Sequence, residues 1–414
     1  MRILVYGINY APELTGIGKY SGEMVEWLSE HGHEVRMVTA PPYYPEWKVG
    51  QDYSSWCYKR EISRDGRQGA RDNLVVWRCP LWVPARPSGL KRLVHLASFA
   101  FSSFPVMLMQ LRWKPDVVMA IEPPLMCAPT ALLIAKMCNA KSWLHVQDFE
   151  VDAAFELGIL KSGWLRKTAL FIELRLMRCF DMVSTISGRM LERLIAKGVA
   201  QKMTSYFPNW VDLNEIIPLK QEGWLRNELG IPPGRFVALY SGNMGEKQGL
   251  EIVLEAADQL ISNPEILFVL SGEGAAKARL MDLYPHLPNV LWLPLQPLEK
   301  LNDLLNLADI HLLPQRANVA DLVMPSKLSG MLASGRPVLA TARTGTQLAK
   351  LVASCGKVVE PGDVQGFVEG LLELARSPQS RAELGSAARN AAQAWDKTIV
   401  LHRFEEQLNV LCNN

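Results

Sequence analysis

The stretch FVALYSGNMGEKQGLEIVLEAADQL, residues 236–260, joins an apolar run to a helical run through a glycine-rich turn. Apolar side chains fill 236–240, which is typical of a buried strand, and they recur at helical spacing from Leu250 to Leu260. Gly242 and Gly245 lie in the turn between the two runs. A buried strand that passes through a short glycine turn into a helix is the building unit of a doubly wound parallel sheet.

The same alternation of strand and helix extends on both sides of this stretch. Strands are predicted before it at 3–6, 34–39, 74–78, 116–121, 142–146, 181–185 and 204–207, and after it at 266–271, 290–293, 310–313, 337–340 and 356–359. The pattern restarts at 236 after an interval that contains four prolines within 208–234. The fold class that we expect is therefore α/β, with two Rossmann-like, doubly wound parallel sheets.

The chain of 414 residues is too long for one core, because single cores stop growing at roughly 250–300 residues. We expect an N-terminal domain over 1–208, an inter-domain connection over 209–234 and a second domain over 235–390. The remaining residues, 391–414, are predicted to form a C-terminal helix, and packing of this helix on the first domain is compatible with the sequence.

Composition narrows the class of protein. Hydrophobic residues make up 49% and charged residues 21% of the chain, as in a soluble globular protein, and a net charge of +2 argues against nucleic acid as a partner. The seven cysteines are scattered, with no Cys/His cluster at zinc-ligand spacing, and are expected to be reduced thiols. The first residues enter a strand pattern without an export signal, so we expect a cytoplasmic protein.

One segment, residues 93–111, is apolar over nineteen residues and has no acidic, lysine or arginine side chain. Basic residues flank it on both sides, at Lys91, Arg92, Arg112 and Lys114. Three interpretations stay open: a membrane span, a helix that covers the sheet, and a helix that lies in a membrane surface with its basic flanks on anionic lipid. The last would give residues 91–114 a peripheral contact with the inner membrane.

The first strand is followed by TGIGKYSG, in which Gly16 and Gly18 open a helix that is predicted to begin near Lys19. Glycines at a helix start let backbone amides approach a phosphate or a sugar, although they also serve simple tight turns. A dinucleotide site is disfavoured, because eight residues separate Gly7 from Gly16 and the second strand ends in Thr39 rather than in an acid.

Two lysines of the second half precede or begin predicted helices. Lys247 lies in the turn after 236–241, just ahead of a helix that is predicted to start near Gln248, and Ser326 and Lys327 lie at the start of MPSKLSG. A lysine beside the positive end of a helix can neutralise a diphosphate leaving group, although Lys247 also suits a solvated surface. Both lysines would meet at the carboxyl edge of one sheet.

The segment LHVQDFEVDA places polar side chains directly after an apolar strand, namely His145, Gln147, Asp148, Glu150 and Asp152. Such a cluster suits acceptor binding or proton transfer, although a single histidine at a strand end is often an ordinary hydrogen-bonded residue. No two aspartates are spaced as DxD, so we expect catalysis without a metal ion.

Together these motifs resemble the retaining glycosyltransferases of family four, which have the GT-B fold of two Rossmann-like domains that face a cleft. The likeness spans nearly the whole chain and is strongest to the colanic-acid and exopolysaccharide branch, through MRILVYGINYAPELTGIGKY, HGHEVRMVTAPPYYPEW, LHVQDFEVDA, FPNWVD, YSGNMGEKQGLE and PSKL. The resemblance implies a nucleoside-diphosphate sugar as donor and co-substrate, no further cofactor, and a lipid-linked saccharide as acceptor.

The resemblance also implies roles for single residues. The donor side would comprise Gly242, Asn243, Gln248, Gly272, Gly274, Ser326 and Leu328. The acceptor side would comprise Gly16, Gly18, Lys19 and Gln147. The catalytic groups would be His145, Asp148, Lys247 and Lys327.

This chain departs from the family pattern at two places. The family's His-Asp pair reads Gln147-Asp148 here, with His145 two residues earlier. The family's two glutamates, which are separated by seven residues, align with Leu322 and Gly330. Two other functions stay open, a sugar-nucleotide epimerase on the same scaffold and a non-catalytic subunit that binds nucleotide sugars, whereas an NAD oxidoreductase is less favoured.

Overall fold

The structure is a computed structural model that describes residues 1–14, 16–63, 73–85, 89–151, 163–219, 224–316 and 324–413. The side chains of Ser63, Leu165 and Lys247 lie outside this description. The chain forms two compact units, one of Met1–Asn209 with Leu401–Asn414, and one of Trp210–Val400.

The first unit is built on an eight-stranded sheet of order β3-β4-β2-β1-β5-β6-β7-β8. All neighbouring strands are parallel except β3 and β4. The inner strands are buried on both faces, which explains why they are continuous apolar runs. The strands are β1 Arg2–Tyr6, β2 Glu34–Thr39, β3 Lys59–Ser63, β4 Leu74–Arg78, β5 Val117–Glu122, β6 Lys141–Val146, β7 Met182–Thr185 and β8 Thr204–Tyr206.

Helices cover this sheet: α1 Gly16–Glu30, α2 Gly89–Met109, α3 Ala128–Cys138, α4 Gly163–Met177 and α5 Gly188–Lys197. Local signals fix their ends. The Ser187 hydroxyl accepts a hydrogen bond from the Met190 amide at the start of α5, and Gly198 ends that helix with φ +98°. Both are the residue types that these cap positions favour.

The second unit has a fully parallel six-stranded sheet of order β11-β10-β9-β12-β13-β14. Its strands are β9 Phe236–Ser241, β10 Ile266–Ser271, β11 Val290–Leu293, β12 Ile310–Leu313, β13 Val338–Thr341 and β14 Gly356–Val359. The helices that follow in the chain are α6 Trp224–Glu228, α7 Glu251–Gln259, α8 Lys277–Leu283, α9 Leu301–Leu307, α10 Ser326–Ala333, α11 Gln347–Val352, α12 Val364–Arg376, α13 Pro378–Ala392 and α14 Lys397–Asn413.

Each sheet has one point where the strand order reverses. The reversal lies between β1 and β5 in the first unit and between β9 and β12 in the second. In open α/β sheets ligands bind outside the carboxyl ends of the strands at this point. The topology therefore directs attention to the loops after β1 and β5, and to those after β9 and β12.

The structure differs from the sequence-based expectation in one strand and in the domain boundaries. The sequence analysis missed β3, whose sequence KREIS is an edge strand rich in charge and has no apolar run. Of residues 209–234, expected as a connection, those from Trp210 onward belong to the second unit, because Val211, Ile216 and Leu225 are buried in its cores. Of the C-terminal segment, the second unit keeps residues up to Val400, and the first unit takes the rest.

The apolar segment 93–111 lies within α2, which covers one face of the first sheet. The buried side of α2 carries His95, Phe99 and Ser103, and the Ser103 hydroxyl lies 2.5 Å from the Tyr6 hydroxyl of β1. By length and composition alone, Gly89–Arg112 is the one candidate for a membrane span among the described helices. Of the three interpretations, a helix that covers the sheet accounts for the buried side of α2.

Candidate functional site

The glycines after β10 support the loop after β9. The Met244 amide donates a hydrogen bond to the Glu273 carbonyl at 2.8 Å, so the two loops continue the pairing of their strands. Gly272 and Gly274 have φ values of +146° and +159°. A Cβ atom on either would overlap a backbone carbonyl group, that of Gly242 or that of Met244. Only glycine lets the two loops lie this close.

Lys327 carries a buried ammonium group at the point where the second sheet reverses. Its Nζ is buried and has no hydrogen-bond partner among the described residues, and it lies 4.1 Å from the centroid of the Tyr240 ring. Burial lowers the pKa of the Lys327 ammonium to about 7. An unpaired buried charge costs free energy, so this arrangement favours an anionic ligand.

Tyr240 is a residue of this site that the sequence analysis missed. It lies in β9, is buried, and its hydroxyl donates a 2.5 Å hydrogen bond to the Asn243 carbonyl. Its ring also faces the Lys327 ammonium, so it contacts both the loop and the lysine. The available signal was a single tyrosine two positions before a glycine, at the end of an apolar strand.

The turn after the glycine loop differs from the prediction. The helix expected near Gln248 begins at Glu251, because a 3₁₀ turn over Glu246–Gln248 and Gly249 with φ +60° come first. Lys247 lies within that turn, and its side chain is outside the described part of the structure. The Gln248 amide oxygen is buried without a hydrogen-bond partner among the described residues, which leaves it able to accept from a ligand hydroxyl.

Two arginines that the sequence analysis missed flank this turn. Arg279 pairs with Glu246 and Glu251, both at 2.8 Å. Arg316, which follows β12, pairs with Glu251 at 2.7 Å and with Glu246 at 3.3 Å. Each exposed pair is worth little alone, but the network connects the turn to α8 and to the segment that follows β12.

The start of α10 presents Ser326 to solvent, whereas Leu328 is buried in the core. The Leu328 amide donates a 2.9 Å hydrogen bond to the Pro325 carbonyl, so both its side chain and its amide are engaged. Gly330 lies on the same helix, and Leu322 is outside the described residues.

In the first unit a buried acid organises the loop after β1. The Glu13 carboxylate accepts hydrogen bonds from the backbone amides of Tyr43 and Tyr44, both at 3.0 Å. A Cβ atom on Gly18 would overlap the Glu13 side chain, so glycine is required there. Burial raises the pKa of the Glu13 carboxyl, and the sequence analysis missed this residue.

The helix after this loop begins at Gly16, earlier than the predicted start near Lys19, so both glycines belong to its first turn. Gly16 has a φ of +61°. Lys19 lies 3.8 Å from Glu23, one turn further along α1. The predicted acceptor residues Gly16, Gly18 and Lys19 thus share one helix start beside the reversal point of the first sheet.

His145 follows the pattern of a buried, fully engaged imidazole. Its Nδ1 lies 2.8 Å from the Ser184 hydroxyl, and its Nε2 accepts a 3.0 Å hydrogen bond from the Gln147 amide nitrogen. The same Gln147 nitrogen donates to Asn209 at 3.1 Å. Desolvation lowers the pKa of His145 to about 3, so the ring is neutral at physiological pH. Asp148, by contrast, is exposed, and Asp152 lies outside the described residues.

A second buried acid, Glu122, ends β5 at the reversal point of the first sheet. Both of its carboxylate oxygens are buried without a hydrogen-bond partner among the described residues. Burial, with Glu173 and Glu150 nearby, raises the pKa of the Glu122 carboxyl well above its usual value. Glu150 is held by the Leu125 amide at 2.7 Å. No periodicity in the sequence distinguishes Glu122 from the end of an ordinary strand.

Two family models match the chain. One, described as a Glycosyl transferase 4-like domain, matches residues 15–210, and the other, described as Glycosyl transferases group 1, matches residues 223–391. A protein described as the colanic acid biosynthesis glycosyl transferase WcaI of Escherichia coli (strain K12) is 46% identical over 417 residues, which are 98% of each chain.

Solved structures share the fold. The sucrose-phosphate synthase of Thermosynechococcus elongatus has a TM-score of 0.75 at 16% identity over 99% of each chain. Anabaena HepE in complex with UDP has a TM-score of 0.70 at 15% identity, over 99% of this chain and 100% of that one. The predicted fold class of two parallel-sheet α/β domains is confirmed.

Proposed function

The chain belongs to the family-four glycosyltransferases of the GT-B fold, and from this membership we propose that it moves a sugar from a nucleoside-diphosphate sugar to a lipid-linked saccharide. The relative WcaI suggests colanic acid or another exopolysaccharide as the pathway. The observation that carries the proposal is the buried ammonium of Lys327 where the second sheet reverses, which has no hydrogen-bond partner among the described residues.

On the donor side, the diphosphate would lie against Lys327 and the first turn of α10. The positive end of α10 and the lysine both stabilise the negative charge that develops as the diphosphate leaves. Gly242 and Asn243 would lie beside it, held in place by Gly272 and Gly274. Lys247 is assigned to the same diphosphate by the family resemblance alone.

On the acceptor side, we assign His145 a positioning role. Both of its ring nitrogens are engaged and the ring is neutral, so it orients Gln147 rather than accepting a proton from the acceptor. Gln147, with Gly16, Gly18 and Lys19, would contact the acceptor saccharide. Asp148 is exposed at the same strand end, and we keep the proposal that it has a catalytic role.

The sugar would be transferred with retention of its anomeric configuration and without a metal ion. The departing diphosphate and the attacking acceptor hydroxyl would share one face of the sugar, and lysine charge would take the part that a divalent ion takes elsewhere. We also propose that the enzyme works at the cytoplasmic face of the membrane, where a lipid-linked acceptor would be found.

The exposed side of α2 supports that location. One side of the helix carries a stripe of exposed apolar side chains, namely Leu90, Val94, Phe101, Phe104 and Leu108. The most exposed of them are Phe101, at 79%, and Leu90, at 75%. Lys91 and Arg92 near the start, and Arg112 and Lys114 after the end, would attract anionic lipid. We therefore propose that this apolar stripe lies in the membrane interface, parallel to its surface.

Replacing Phe101 by Asp is expected to weaken binding to anionic vesicles by at least about tenfold, because burial of a phenylalanine contributes about 1.5–3 kcal/mol. Co-sedimentation with phosphatidylglycerol-containing vesicles measures the change. Leu283→Asp, at an exposed leucine of the second unit, is the matched control. Equal binding of F101D and the native protein would remove the stripe from the proposal.

The proposed function is tested in two steps. A panel of UDP-, GDP- and ADP-sugars is first compared by thermal shift, because a ligand at about 100 times its dissociation constant stabilises the folded state by about 2.7 kcal/mol. The stabilising donor is then incubated with lipid-linked saccharide extract. We expect a glycosylated lipid product of retained configuration, formed equally well in the presence of EDTA.

Two outcomes of this test would favour the alternatives. Conversion of the donor to an epimeric nucleotide sugar without any acceptor would identify an epimerase. Donor binding without transfer to any lipid-linked acceptor would favour a non-catalytic subunit. A requirement for a divalent ion would contradict only the proposed metal independence.

A further inference from the structure

A cluster of metal-binding side chains lies at the amino edge of the first sheet. His31 follows α1, and His402 and Glu405 lie one turn apart on α14. One ligand atom from each residue lies within 4.8 Å of the other two. The first and last parts of the chain meet here, which is why no spacing pattern in the sequence indicated a site.

The two imidazoles are held by their surroundings. His31 Nδ1 lies 2.8 Å from the Trp27 carbonyl, so this nitrogen donates and Nε2 is left with its lone pair. The Trp27 ring stacks on His31 at 3.9 Å and meets the edge of His402 at 4.8 Å. Orientation of a histidine through its other nitrogen is the usual arrangement in metal sites.

The carboxylate is oriented in the same way. His33 Nδ1 lies 3.3 Å from the nitrogen of Met1, and His33 Nε2 faces the Glu405 carboxylate. That nitrogen lies 3.0 Å from Glu405 Oε1 and donates to it. The second oxygen of Glu405 has no hydrogen-bond partner among the described residues and is left for another ligand, and His33 holds the carboxylate without competing for a metal ion.

The local charge favours a cation. The negative end of the α1 dipole lies beside His31, and the last turn of α1 contains no basic residue to offset it. Glu405 adds a formal negative charge. The two imidazoles and the carboxylate form the donor set of two nitrogens and one oxygen that zinc and related ions prefer.

We propose that His31, His402 and Glu405 bind a divalent transition-metal ion of the zinc class and thereby attach α14 to the end of α1. Ligand atoms in a tetrahedral zinc site are about 3.4 Å apart, given Zn–N distances of about 2.0–2.1 Å. Binding would draw the three side chains together by about 1 Å each. The two histidines are exposed, so their side chains have room for that movement and water for the remaining position.

The site is separate from the proposed transfer reaction. Gln147 and Asp148 follow the carboxyl end of β6, whereas His33 precedes β2 at the amino edge of the same sheet. The metal ion would therefore act on the attachment of the C-terminal helix. The proposed metal site is independent of the proposed metal-free sugar transfer, and the test of the site does not use transferase activity.

The test uses the untagged, full-length protein after treatment with EDTA and removal of the chelator. Isothermal titration with Zn²⁺ should show one equivalent bound, and His402→Ala and Glu405→Gln should each weaken binding by more than about tenfold. Zn²⁺ should also raise the melting temperature of the native protein but not that of H402A. Circular dichroism establishes that the variants are folded.

His286→Ala is the matched control, because His286 is also exposed and lies 2.8 Å from one carboxylate, that of Asp258, but belongs to no group of three possible metal ligands among the described residues. We expect H286A to bind Zn²⁺ as the native protein does. Co²⁺ distinguishes the ligands, since cysteine coordination gives a thiolate charge-transfer band that this site would lack. Such a band, equal affinity in H402A and the native protein, or no binding at all would overturn the proposal.

Discussion

Lys327→Met is expected to lower the turnover number by about 100-fold or more, the scale of losing one group that stabilises charge in a transition state. Methionine keeps most of the length and apolar volume of the lysine stem but removes the charge. The same substitution should raise the melting temperature of the ligand-free protein, because it removes a buried ammonium that has no hydrogen-bond partner among the described residues. Loss of activity with a gain in stability is the signature of a binding group, and steady-state kinetics with thermal unfolding measures both.

The pKa of Lys327 adds a dependence on pH. In the folded state it is lowered to about 7 from 10.5. Below pH 7 the lysine is charged in both states and the cost of burial is fully present. Between pH 7 and 10.5 the unfolded state binds more protons, so the free energy of unfolding of the native protein should rise relative to that of K327M.

Donor binding should show the opposite trend. The diphosphate pairs with the charged lysine, so its affinity should fall by about tenfold per pH unit above pH 7. At pH 8 binding should take up a proton in the native protein and none in K327M, which calorimetry in buffers of different ionisation enthalpy detects. Lys357→Met is the control, because Lys357 is a surface lysine paired with Glu373 at 2.7 Å. Normal turnover in K327M, or an equal loss in K357M, would contradict the assignment.

Gly272→Ala is expected to abolish donor binding and to lower the free energy of unfolding by about 3 kcal/mol. The added methyl group would overlap the Gly242 carbonyl group, and the φ of +146° is itself strained for alanine. The loop after β9 would have to move away from Lys327. Urea unfolding measures the stability, and the thermal shift caused by the preferred nucleotide sugar measures the binding.

Gly345→Ala separates the two causes. Gly345 also has a positive φ, +87°, but a Cβ atom there would meet nothing within 4 Å. We expect G345A to lose only the backbone contribution, about 1–2 kcal/mol, and to bind the donor normally. If G272A bound the donor as well as G345A does, the close approach of the two loops would not matter for the donor site.

Much of the fold could be predicted from local patterns. Several strands, among them β2, β9 and β12, match their predicted bounds, because buried parallel strands are short apolar runs between glycine, proline and polar residues. The edge strand β3 could not be predicted in this way, since its pairing with β4 rather than its own composition makes it a strand. The start of α7 was misplaced because Gly249 interrupts a helical pattern that continues through it.

The residues of the candidate site likewise divide into those that local sequence patterns indicate and those that depend on tertiary contacts. A lysine at a helix start is a local feature, so the sequence pattern indicated Lys327, whereas Gly272 and Gly274 were indicated by the family resemblance. The burial of the Lys327 ammonium against Tyr240 and the complete engagement of His145 depend on side chains from other strands. No pattern within one segment carries that information.

The sequence by itself determined two α/β domains and the loops that line their carboxyl edges, because hydrophobic periodicity and turn residues act over a few positions of the chain. Only the tertiary structure decided which polar groups are left without a partner and which distant residues meet. His31 and His402 come together because α14 packs on the first unit, and that packing is set by the burial of side chains from remote parts of the chain.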